Sequence, residues 1–198
     1  EDTMKVSFSV ATNRRQYLHR FCDALAKNDA ELEVIFVGPL GNPFADELSG
    51  ALLQDRLPVP VRFINVPEET LTPRCWEIGA RAATGDLLAL PPDDVIYSPG
   101  FVDAAVAEAS KLHSPYDMFT ARYLHNNVDE FSAQHIWSLD HMPLLPVGGI
   151  TYTAAHHELG GVDNRFKGVF WDCDLYMSMV QMGGGTTMID GYTCHELH

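Results

Sequence analysis

Leu87-Leu88-Ala89-Leu90-Pro91-Pro92-Asp93-Asp94 is the stretch on which the reading of this chain turns. Four apolar residues predict a buried strand, two prolines end it, and two carboxylates leave its end together. Adjacent acids repel each other and serve no packing purpose. Two readings compete here: a solvated turn that happens to be acidic, or an anchor for a hard divalent cation carrying a phosphate. The surrounding pattern decides between them.

Upstream, strand and helix alternate. Val6 to Val10 reads as a strand, and Leu18, Phe21, Cys22 and Leu25 then trace one helical face. Val34 to Val37 is a fully apolar strand. Asn42-Pro43 supplies a cap and first-turn proline for a helix with Phe44, Leu48, Ala51 and Leu52 on one side. Val61 to Ile64 is a third strand, and Thr72-Pro73 repeats the cap-plus-proline signal for a helix ending near Gly85. Leu87 to Leu90 is the fourth strand, and Ser98-Pro99 opens a helix with Val102, Ala105, Val106 and Ala109 inward. Apolar strands separated by capped helices predict an α/β fold with a mainly parallel central sheet covered by helices on both faces. Such sheets bind ligands at the carboxyl ends of their strands, where Thr12, Gly38 and Asp93/Asp94 all fall. The solvated-turn reading loses ground.

The 198 residues, 46% of them hydrophobic, suffice for one well-buried domain, and no internal repeat or linker divides them. Thirteen basic against 27 acidic residues give a net charge of −14, which argues against nucleic-acid or anionic-membrane binding. No run approaches the ~18 apolar residues of a transmembrane helix. The start, Glu1-Asp2-Thr3-Met4-Lys5, lacks a charged-then-apolar leader, and the chain enters a strand soon after Met4. Cys22, Cys75, Cys173 and Cys194 show no CxxC spacing, so the expectation is reduced thiols in a cytoplasmic compartment.

A second acidic cluster follows a glycine-rich turn. Gly160-Gly161-Val162-Asp163 leads to Trp171-Asp172-Cys173-Asp174-Leu175, which opens a helix ended by Gly183-Gly184-Gly185. Acids in a first helical turn complement the dipole, which accounts for one aspartate. The two side chains diverge by roughly 200° around a helix, so both cannot face one cleft. One acid is read as capping or bracing the helix and the other as facing a cleft as a general base. From about His113 to Ile150 no period holds, and the stretch reads as irregular. It carries Tyr116, Phe119, Tyr123, Phe131 and Trp137, residues suited to a second binding surface or to ordinary loop packing. His156-His157-Glu158 reads as polar surface. His195-Glu196-Leu197-His198 has its histidines at i, i+3 rather than the i, i+4 of a zinc-protease helix, and that reading is rejected.

The order of these motifs resembles glycosyltransferase family 2, the nucleotide-sugar-dependent transferases of the GT-A fold. Val6 to Leu25, including the turn Ala11-Thr12-Asn13-Arg14, is similar to the family's first strand, turn and helix. Gly79 to Asp86 resembles its approach to the metal motif, and Pro92-Asp93-Asp94 with Pro99-Gly100-Phe101 occupies the place of that motif. Gly160-Gly161-Val162-Asp163 and Asp172-Cys173-Asp174-Leu175 resemble two later segments, and His195 falls where many members place a histidine. Four positions depart from the pattern. Gly38 stands for a nucleotide-contacting Asp, Pro92 for the first metal-motif Asp, Glu77 for an Asn, and Trp171 for a Glu.

The resemblance implies a single GT-A (Rossmann-like) domain over 1–198. Roughly 4–100 would form the nucleotide-sugar and metal half, and 101–198 the acceptor half with the base. It implies Mn²⁺ or Mg²⁺ on Asp94 with His195, or His198 as the alternative ligand. Thr12, Asn13 and Gly38 would lie at the nucleotide, with Asp93 on ribose or metal-bound water and Arg74 either on phosphate or at the surface. The implied reaction is an inverting transfer from a UDP-, GDP- or dTDP-linked sugar to a saccharide or other hydroxyl acceptor, with Asp172 as base. Two alternatives stay open: a catalytically silent GT-A module that binds sugars or a partner, and a sugar nucleotidyltransferase. The latter lacks its glycine-rich turn and Lys after Val10.

Overall fold

Strand β1, Val6–Ala11, and strand β2, Leu32–Gly38, are buried along their whole lengths, as central strands covered on both faces must be. In this computed structural model, which describes residues 4–39, 57–111, 113–125, 146 and 148–196, they pair in parallel from Val6 opposite Leu32 to Ala11 opposite Val37. Strand β3, Val61–Asn65, extends β2, and strand β4, Leu87–Ala89, lies on the other side of β1, both parallel. Strands β5 (Val95–Tyr97), β6 (Met118–His125), β7 (Ile150–Tyr152) and β8 (Thr186–Glu196) complete one eight-stranded sheet of order β3-β2-β1-β4-β7-β6-β8-β5. The β4–β7, β7–β6 and β8–β5 pairs are antiparallel and the other four parallel.

Alternation along the strands divides the interior in two. Phe8, Val10, Val34, Phe36, Leu87 and Ala89 face a core shared with helix α1, Leu18–Leu25. Helix α3, Phe101–Ala109, packs into the same core. Ile35, Val37, Leu88 and Leu90 face the opposite core, filled by Cys75, Trp76 and Ala80 of helix α2, Thr72–Ala82. Trp171, Leu175, Tyr176 and Met179 of helix α5, Trp171–Gln181, close that side. A short helix α4, Thr153–Glu158, follows β7. The result is a single α/β domain, its mainly parallel sheet helix-covered on both faces.

Several boundaries differ from the sequence expectation. The N-cap of α2 is Leu71, with no side-chain cap, and Thr72 is already helical. Helix α3 starts at Phe101 behind Gly100, whose φ of 80° is left-handed. The stretch expected to be irregular contains β6 and the start of β7, and β8 was not expected as a strand. The helix expected over Asn42 to Leu52 lies outside the described residues, as do Phe131, Trp137 and His198. All four cysteines are free, and Cys22 is in the core as its helical spacing required. Among the described residues no helix is long and apolar enough to cross a membrane.

Candidate functional site

The chain runs β1, β2, β3 outward on one side of the sheet and returns with β4 on the other. The carboxyl ends of β1 and β4 therefore flank a topological switch point. Thr12 follows β1 and Asp93 follows β4, and the Thr12 hydroxyl donates to Asp93 Oδ2 at 2.5 Å across that gap. Gly38 ends β2 beside them. A Cβ there would stand 1.7 Å from the Thr12 carbonyl oxygen, so no side chain fits at position 38. Thr12, Gly38 and the acid pair thus cluster as the parallel-sheet rule predicts. The missing acid at 38 has a steric cause.

Arg14 supplies what the sequence reading assigned to a metal. Its Nε donates to Asp93 Oδ2 at 3.2 Å and its Nη2 to Asp93 Oδ1, while Nη2 also reaches Asp94 Oδ2 at 2.8 Å. Both carboxylates are buried, and one guanidinium bridges the pair, offsetting one of their two charges. Its bonds to Asp93 and then Asp94 push the guanidinium pKa further up against the cost of its burial. The guanidinium also lies 4.7 Å from the Tyr17 ring centroid, a cation–π distance. Arg14 is a site residue that the sequence reading misses. The available signal is its place as a cation three residues beyond the end of β1, on the sheet edge where the acid pair falls. Together with Thr12, Asn13, Glu68, Trp76 and Asp93, it lines a cavity of about 340 Å³.

A second cavity, about 440 Å³, shares Trp76 and Pro92 with the first and adds Phe170, Trp171, Asp172 and Tyr176. The partition is rigid. Trp76 Nε1 donates to the Pro91 carbonyl at 3.0 Å, and the Trp76 and Trp171 rings lie 4.6 Å apart at 31°. Trp171, a departure from the family pattern, is therefore a packing partner of α2. Asp172 is half-buried in the first turn of α5, and burial holds its carboxyl above the usual carboxylate range. Its Oδ1 accepts the Cys173 amide at 3.0 Å. Asp174 is exposed on another side of the helix, and Phe170, with no side-chain cap, is the N-cap. The expectation that Asp174 caps the helix is corrected: the N-cap is Phe170, and the Cys173 amide in that turn donates to Asp172. Phe170 has φ 68°, the one positive value outside glycine among the described residues.

Glu77, the third departure, anchors the glycine-rich turn. Its buried carboxylate accepts from His156 Nε2 at 3.0 Å and from the Val162 amide at 2.9 Å, and Arg81 Nε completes its partners. Burial opposes the charge, but these partners outweigh it and hold the Glu77 pKa down at about 2. A Cβ at Gly161, where φ is 76°, would lie 2.3 Å from Glu77 Oε2, so glycine is required sterically and conformationally. His156 was expected at the surface. It is fully buried, because the Glu77 carboxylate on α2 gives its imidazole a partner.

Two remaining candidates sit apart from the cavity linings. Arg74 is exposed, and its Nη1 donates to Asn164 Oδ1 at 3.1 Å. His195 lies opposite Ile96 in the β5–β8 ladder, two residues in register from Asp94, and its Nε2 is 2.8 Å from the Thr193 hydroxyl. No three His, Cys, Asp or Glu side chains converge as a metal cage among the described residues. Asp93 lines the first cavity with Asp94 next to it in sequence, and such a donor set fits Mg²⁺-type ions, which are commonly held by one or two carboxylates plus substrate phosphates.

No family model and no curated protein matches this sequence. Solved structures do share its fold. The crystal structure of S. aureus TarS 1–349 superposes with a TM-score of 0.74 at 16% identity, covering 96% of this chain and 60% of that one. The same protein in complex with UDP gives 0.73 at 17% identity, covering 97% and 60%. Its complex with UDP-GlcNAc gives 0.72 at 14% identity, covering 98% and 59%. The present chain thus spans about three-fifths of the TarS 1–349 length, and the likeness is one of fold.

Proposed function

We propose that this domain is a nucleotide-sugar-dependent glycosyltransferase acting on a hydroxyl acceptor. The observation that carries the reading is the pair of cavities sharing Trp76 and Pro92, one lined by Thr12, Arg14 and Asp93 and the other by Asp172. TarS, similar in fold, has been crystallised with UDP and with UDP-GlcNAc, which supports a uridine nucleotide as the first donor to test.

In this reading the donor diphosphate enters the first cavity, with Thr12, Asn13 and the Gly38 backbone at its rim. Asp94, with His195 from β8, would hold Mn²⁺ or Mg²⁺, and Asp93 would contact ribose or metal-bound water. A bound ion would supply neutralisation of the leaving diphosphate. For that, Arg14 must release at least one carboxylate, and its half-exposed side chain can then turn to the phosphates. Asp172 takes the proton of the acceptor hydroxyl as its oxygen bonds to the anomeric carbon. The bond from that carbon to the diphosphate oxygen breaks, its electron pair leaves with the phosphate, and the configuration inverts. Burial suits Asp172 to the task, since a carboxylate above its usual range is the better proton acceptor.

The test is calorimetry with UDP, GDP and dTDP, with and without Mn²⁺, followed by an assay for UDP release from UDP-GlcNAc. Binding of one nucleoside diphosphate with donor-dependent turnover is expected. A binding module without turnover is the second reading, favoured by Arg14 already being bonded to both acids. Nucleotide binding with no release of nucleoside diphosphate under any acceptor would select it. No binding of any of the three nucleotides would end the transferase reading.

A further inference from the structure

We propose that the second cavity takes an uncharged acceptor with an apolar face, and that it discriminates against phosphate- or carboxylate-bearing acceptors. The inference rests on the transferase reading and adds the acceptor's chemical class. Leu90, Val169, Phe170, Trp171 and Tyr176 supply the walls, and Asp172 is the single charged group in the lining among the described residues. Pockets of this kind hold a ligand by its apolar surface and orient it through a few polar groups. Here the group available to orient a hydroxyl is the candidate base itself.

Charge makes the argument selective. An anionic acceptor would bring a second negative charge beside Asp172 in a partly desolvated site, with no cation in the lining to answer it. Arg165 is tied to Asp163, and the exposed Lys167 is not in the lining. The basic residue of the neighbouring cavity, Arg14, lines that cavity and not this one. The indoles of Trp76 and Trp171 and the ring of Phe170 instead offer flat apolar faces with edges suited to hydroxyl-bearing rings.

Two of the chain's three tryptophans line this cavity, so intrinsic fluorescence reports its occupancy. A phenyl glycoside, the methyl glycoside and the 6-phosphate ester of the methyl glycoside would be titrated in gluco-, galacto- and manno-configuration. Each titration would run with and without UDP and Mn²⁺, with UDP binding read separately by calorimetry. The phenyl glycoside is expected to bind tightest and the phosphate ester about tenfold or more below it, from like-charge repulsion. Val169→Lys, at an exposed position in the rim, should reverse that order in favour of the ester. The proposal is overturned if the ester equals the phenyl glycoside in the parent protein. It is also overturned if no glycoside alters the signal under either condition, or if Val169→Lys leaves the ranking unchanged. Loss of UDP binding alone would remove the donor reading and leave this outcome standing.

Discussion

The His156 imidazole donates through Nε2 to the Glu77 carboxylate at 3.0 Å, both side chains being buried. The pair joins α2 to α4, and through the Val162 amide it fixes the turn that precedes Trp171-Asp172. Removing one member of a buried pair strands the other. Glu77→Ala should therefore cost about 3–5 kcal/mol, measured by urea denaturation. The pH dependence follows from the depressed pKa. Stability due to Glu77 is fully present above the ordinary carboxylate pKa and is lost as pH falls from about 4.5 towards 2. An acid-unfolding midpoint unchanged in Glu77→Gln would show that this carboxylate contributes nothing.

At Gly38 the obstacle is backbone rather than a flexible side chain, because the position for a Cβ coincides with the Thr12 carbonyl. Gly38→Ala should force β1 and β2 apart at the mouth of the first cavity. Its cost is expected at about 3 kcal/mol, the upper part of the range for overpacking. Chemical denaturation reads the loss, and an unchanged midpoint would mean that the strand ends are not so closely apposed.

Arg14 makes a prediction that separates charge from shape. Arg14→Gln leaves Asp93 and Asp94 as adjacent, buried and unneutralised acids. The variant should melt lower than the parent in EDTA, and Mn²⁺ should restore it by more than it stabilises the parent. Titration calorimetry should likewise show tighter Mn²⁺ binding by the free variant. Equal Mn²⁺ affinity in the two proteins would show that the guanidinium does not compete for the acids.

Much of this was legible in the sequence because the relevant signals are local. Val34 to Val37 and Leu87 to Leu90 are unbroken apolar runs, and a parallel sheet then dictates that Thr12, Gly38 and Asp93 meet. Strands β6 and β8 carried no such signal. Arg122 interrupts one and Asp190-Gly191 the other, and their register shifts between the Thr120–Met188 and Arg122–Thr193 pairs. Long-range partners are equally silent in a sequence. The turn after β1 puts Arg14 at the right sheet edge but does not say that it pairs with acids 79 and 80 positions away, and His156-His157-Glu158 looks like surface until Glu77 is placed beneath it.

Asp172 and Asp174, two residues apart, should respond oppositely to the same substitution. Asp172 is half-buried at the second cavity with its pKa raised by desolvation; Asp174 is exposed. A carboxyl whose folded pKa exceeds its unfolded value favours the native state when protonated. Its contribution is therefore fully present below the unfolded pKa and is lost as pH rises through the folded one. Asp172→Asn keeps the neutral form at all pH values, so at pH 7 it should match or exceed the parent in denaturation midpoint. Transfer should nevertheless fall by about 10²–10⁴, the usual worth of a general base. In the parent, the acidic limb of the pH–rate profile should lie above the ordinary aspartate range and vanish in the variant. Asp174→Asn should leave transfer intact and change stability by no more than about 0.5 kcal/mol, as surface substitutions do. Transfer retained in Asp172→Asn but lost in a folded Asp174→Asn would move the base to position 174. Full transfer in both would remove proton abstraction from this helix.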